Sequence, residues 1–159
     1  MPSVLWVLLA LTMAGCAGEP QTWAALKRQL PNLASEQREP AIERFIAAKG
    51  GTPVVENQTR LVFFAKDVNG VTPRVVGDFN AWALRPGSGQ AAPPVYDAAI
   101  GKMTRIDGTR WSYLEGTAYT NARVEYVFFF DTEATADPMN PRAVQAYAGP
   151  RSEIRMPFW

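Results

Sequence analysis

Two periods of apolar spacing divide the chain. Over Pro40–Lys49 the apolar positions Ile42, Phe45 and Ile46 recur at i, i+3 and i+4, the spacing of one helix face. Pro40 suits a first helical position and Gly50-Gly51 a helix end, so the pattern predicts a helix opening at Pro40. A shorter helix is predicted over TWAALKRQL, starting from Thr22. From Thr52 onward the period becomes two. Candidate strands are PVVE, RLVFFAKD, PRVVGD, KMTRID, RWSYLEG and ARVEYVFFFD, separated by NQT, VNG, DGT and Gly/Pro-rich segments. Asp107-Gly108 reads as a hairpin turn, and Asn57-Gln58-Thr59, although it fits a glycosylation sequon, as another turn. Short strands joined by turns predict an all-β, antiparallel β-sandwich with a short N-terminal helical segment.

Two strands are apolar on both faces. In ARVEYVFFFD, Val124, Tyr126, Phe128 and Phe130 share one face, yet Val127 and Phe129 occupy the other. In RLVFFAKD, Leu61, Phe63 and Ala65 oppose Val62 and Phe64. A sandwich sheet facing water is polar on its outer side, so something covers these second faces. The N-terminal helix and a further domain are the two candidates.

The first residues read as an address. VLWVLLALTMA has the length of a signal-peptide apolar region, too short for a comfortable membrane span of about 20 residues. It ends in Ala14-Gly15 before Cys16, the only cysteine. The expected organisation is a lipoprotein-type signal over 1–15 and a tether with a short helix over 16–39. The helix and sandwich then fill 40–159. Cys16 is the expected lipidation site, which predicts a chain anchored in the cell envelope through lipid alone or, if the signal is an ordinary cleaved one, secreted.

Charge and composition narrow the chemistry. A formal net charge of +1 gives no bulk attraction for nucleic acid. The chain has no histidine, which excludes a Ser-His-Asp or Cys-His nucleophilic site and a His-ligated zinc within it. Asp131, Glu133 and Asp137 lack the glycine and terminal carboxylate of a calcium loop. Neither a metal nor a cofactor is expected.

The order of motifs resembles a known arrangement. GDFNAW (77–82), MTRIDGTRWSYLEG, EYVFFFD and ADPMNP are similar to the early-set, immunoglobulin-like domains grouped with family-48 carbohydrate-binding modules. RFIAAKGGTPVVE before them, with DPMNP and SEIRMP after, more closely resembles the N-terminal domain of enterochelin-esterase-like α/β-hydrolases. The resemblance spans residues 40–157 and implies an early-set sandwich that packs against a hydrolase catalytic domain, in cis or in trans. That catalytic domain would begin where this chain ends, and no G-x-S-x-G elbow occurs here. The expected role is therefore non-catalytic. The alternative is a stand-alone lipoprotein binding α-glucan-type polysaccharide.

For such a platform Trp82 matches one stacking ring, while Ala134 and Val127 stand where the resemblance places a second Trp and a sugar-contacting Lys. Phe79, Asn80, Trp82, Trp111 and Tyr113 are the candidate glycan or interface residues. The competing reading makes Phe79 and Trp82 a plug at the sandwich end, with Asn80 bracing the turn and Trp111 packed inside. Val127, Phe129, Phe158 and Trp159 are the candidate inter-domain contacts.

Overall fold

The computed structural model describes residues 20–87, 93–147 and 149–159. The expected signal segment 1–15 and Cys16 lie outside the described residues.

All six sequence-derived strands form: β1 (Val54–Glu56), β2 (Arg60–Lys66), β3 (Arg74–Gly77), β6 (Thr104–Arg105), β7 (Trp111–Thr117) and β8 (Arg123–Phe130). Five more complete the fold: β4 (Leu84–Arg85), β5 (Val95–Tyr96), β9 (Glu133–Thr135), β10 (Ala143–Ala146) and β11 (Gly149–Arg155). The first sheet runs β1-β2-β7-β6 and the second β10-β11-β8-β3, with β9 continuing along β8 and β4-β5 a separate hairpin. Every pairing is antiparallel. The molecule is an all-β sandwich carrying helices near its N-terminus.

Alternation places Leu61, Phe63, Val124, Tyr126 and Phe128 between the sheets. Val62, Phe64 and Trp111 face outward from the first sheet, where α1 (Trp23–Gln29) and α2 (Ser35–Ala48) cover them. The two-faced pattern of β2 is thus resolved by the chain's own helices. Trp23 is fully buried, its ring 4.9 Å from Phe64 and 4.8 Å from Tyr113. Thr22 caps α1 by accepting the Ala25 N–H. The segment expected as a tether is, from Trp23 on, part of the packed domain.

α2 corrects the expected helix start. It opens at Ser35 and contains Pro40, which removes only the bond that would reach back to Glu36, close to the helix end. Its C-terminus follows expectation. Gly50 has φ 83°, its N–H meets the Ala47 carbonyl, and the Gly51 N–H reaches Ile46, a Schellman closure.

The segment SEIRMP lies largely in β11, which pairs with both β8 and β10. Ile154 and Met156 are buried in the core between the sheets.

Candidate functional site

Gly77 ends β3 because no side chain fits there: a Cβ would stand 2.3 Å from the Glu125 carbonyl oxygen. Asn80 then fastens the turn, accepting the Gly77 N–H at 2.9 Å and donating to the Val75 carbonyl at 3.0 Å. Ala81, Trp82 and Ala83 follow with φ of 51°, 56° and 61°. Three successive left-handed residues cost roughly 1 kcal/mol each, and the turn persists because the two Asn80 bonds and the burial of Ala83 hold it.

The two rings of GDFNAW go to opposite sides. Phe79 stacks on Phe63 at 4.6 Å and closes the space over Gly116, which makes it the sandwich plug. Trp82 lies on the outer face of the second sheet. Its Nε1–H donates to Asp78 at 2.9 Å, and the other Asp78 oxygen accepts the Glu125 N–H at 2.7 Å. The Arg151 guanidinium sits 4.3 Å from the indole centroid, so that ring already carries a stacked partner.

Trp111 and Tyr113 do not join Trp82. They lie on the outer face of the first sheet, where Trp111 is buried and Tyr113, half-buried, contacts Trp23 and the Lys27 ammonium. No candidate glycan ring shares a surface with Trp82, and the face that Trp111 and Tyr113 share is packed against α1 and α2.

Val127 is 7% exposed, packed with Val76 and Ala83 beneath the turn. Phe129 beside it is half-buried under the Arg74 guanidinium, 5.0 Å from its centroid. Phe158 and Trp159 are 64% and 63% exposed, although their backbone is fixed. The Phe158 N–H bonds to Thr120, and the Met156 N–H to Ala122. Tyr119, next to that anchor, is 84% exposed. Three open aromatic rings thus stand at one end of the sandwich.

Asp137 is the residue whose role sequence reasoning missed. Considered in the sequence as a poor calcium ligand, it is a buried carboxylate, 3% exposed. It accepts the Tyr126 hydroxyl at 2.7 Å and the Met139 N–H at 2.9 Å, while its own N–H donates to Ser152 Oγ. Asn140 donates to both the Tyr126 oxygen and the Glu153 carbonyl. The DPMNP motif is therefore a latch joining the loop to β8 and β11, and its Asp-Pro-x-Asn spacing was the available signal. Burial pushes the Asp137 carboxyl up to about 6, against the lowering effect of its hydrogen bonds. Among the described residues no three potential metal ligands converge.

No protein-family model matches the chain, and no curated protein does. Solved structures do. The enterobactin esterase of Shigella flexneri, solved in the presence of enterobactin, aligns at 19% identity and a TM-score of 0.50 over 73% of this chain. The same enzyme with 2,3-di-hydroxy-N-benzoyl-serine gives 18% and 0.49, again over 73%. The ferric enterobactin esterase of Salmonella typhimurium gives 17% and 0.48, also over 73%. The chain spans only about a third of these enzymes' length: 35%, 35% and 36%. At such identities the match speaks for the fold.

Proposed function

We propose that this chain is a non-catalytic, early-set accessory domain of an esterase-like hydrolase, exported and lipid-anchored through Cys16 in the cell envelope. It packs on a catalytic domain and helps shape its substrate cleft. The observation that carries this reading is the fold match covering 73% of this chain but 35% of an esterase. The absence of histidine supports it, since the chain cannot supply a Ser-His-Asp site itself. The docking surface is the aromatic end formed by Tyr119, Phe158 and Trp159, because the second faces of β2 and β8 are largely occupied by the chain's own helices and turn. The polysaccharide alternative would rest on Trp82 alone, and Arg151 lies on that ring.

The test is size-exclusion chromatography of the chain with the catalytic domain of an esterase-like hydrolase from the same genome. A stable complex is expected. Separate elution at concentrations of about 10 μM, well above the dissociation constants of specific interfaces, would remove the reading.

A further inference from the structure

A cleft of about 740 Å³ opens between the C-terminal half of α2, the end of β2, and β9 with Pro138-Met139. Its size lies within the range of small-molecule sites, roughly 300–1,000 Å³. The floor is built of the buried rings Phe64, Trp111 and Phe128, and half-buried Phe130 and Met139 form a side wall. Such a surface takes an apolar body.

The charges around it are unequal. Glu43, Glu133 and Asp137 line the cleft against a single cation, Lys66. Lys66 is already engaged, with its ammonium 2.6 Å from Glu43 and 5.1 Å from the Trp111 centroid. That contact shows what the wall accommodates: an ammonium held between a carboxylate and an indole face. Glu133, exposed on β9 at the other side of the cleft, makes no ion pair among the described residues. An acid entering here meets a surplus of negative charge, and an amine meets a free carboxylate.

We propose that this cleft binds amphiphilic amines, the apolar part lying on Phe130 and Met139 and the ammonium facing Glu133. None of Tyr119, Phe158 and Trp159 lines the cleft.

The test is isothermal titration of the purified chain at pH 7.5 with n-decylamine, n-decanol and n-decanoate, each below its aggregation concentration. Saturable one-to-one binding of decylamine is expected, about tenfold or more tighter than decanoate, with decanol between them. Two variants at exposed positions leave the fold intact, as far-ultraviolet circular dichroism would verify. Ala47→Trp, which fills the cleft from α2, is expected to abolish binding of all three probes. Glu133→Gln is expected to shrink the preference for amine over acid at least about threefold while sparing decanol. Failure of decylamine to saturate, decanoate binding as tightly as the amine, undiminished binding by Ala47→Trp, or an unchanged preference in Glu133→Gln would each overturn the proposal.

Discussion

Asp137 shows how one side chain gives the domain a pH-dependent stability. Its folded-state value of about 6 lies above that of an unfolded aspartate. The folded state therefore holds the proton more tightly, and stability rises as pH falls through 6 toward about 4. The ionised form above pH 6 is the costly one. The whole window is worth at most about 3 kcal/mol. Melting temperature is expected to increase between pH 7 and pH 5, and Asp137→Asn should flatten that increase. A wild-type melting temperature that is level or falling over this interval would contradict the assignment. Glu153, held below the ordinary carboxylate range by Arg155 and Arg123, acts in the opposite sense and only at lower pH.

Gly101 supplies a second prediction at the same scale. It has φ 81°, and a Cβ there would stand 2.0 Å from the Val75 carbonyl oxygen. That carbonyl also accepts from Asn80. Gly101→Ala should lose more than about 2 kcal/mol in urea denaturation, since backbone strain and the collision add. Asn80 as a turn brace was legible, because Asn between turn residues bonds its own backbone. The destination of Trp82 was not legible. It depends on Asp78 and Arg151, the latter contributed by a strand that sequence periodicity did not reveal.

At the scale of elements, legibility followed how much apolar patterning each segment carries. β2 and β8 announce themselves through Phe, Val and Tyr alternation. β10 and β11 contain Ala, Gln, Pro and Gly, and the large apolar side chains they bring to the core are Ile154 and, just past the end of β11, Met156. Such strands form because neighbours offer edges to pair with, a tertiary effect that local propensity does not report. α1 was legible as a helix but not as core, since Trp23 and Leu26 gain their burial only against Phe64 and Tyr113. Glu115 reinforces that docking, accepting from the Trp23 indole N–H and Lys27 while pairing with Arg60. Trp23→Ala is expected to cost about 3–5 kcal/mol, the usual range for a buried Trp truncated to Ala. A chain starting at Ser35 should bind a hydrophobic dye such as ANS through its uncovered Phe45 and Phe64. Urea unfolding that leaves the midpoint of Trp23→Ala within error of wild type would mean that α1 is only a tether.

For the whole molecule, the surfaces left over differ in kind, and that difference decides how the domain should associate. The outer face of the second sheet carries a ladder in which Arg151 pairs with Glu125, Glu125 with Arg123, and Glu153 with both Arg123 and Arg155. These charges satisfy one another, and a partner docking there would have to compete with them in a salt-dependent way. The end bearing Tyr119, Phe158 and Trp159 presents open rings on an anchored backbone, the kind of group that dominates interface energetics. At 1 M salt the screening length is about 3 Å, which weakens exposed charge contacts and leaves apolar burial intact. Association with a hydrolase catalytic domain should therefore change less than about threefold between 0.1 and 1 M NaCl. The combined change of Tyr119, Phe158 and Trp159 to Ser should weaken it more than about tenfold. Analytical ultracentrifugation at the two salt concentrations measures both effects. A complex that dissociates in salt yet tolerates the triple variant would transfer the interface to the charged face, with Arg151 and Trp82 at its centre.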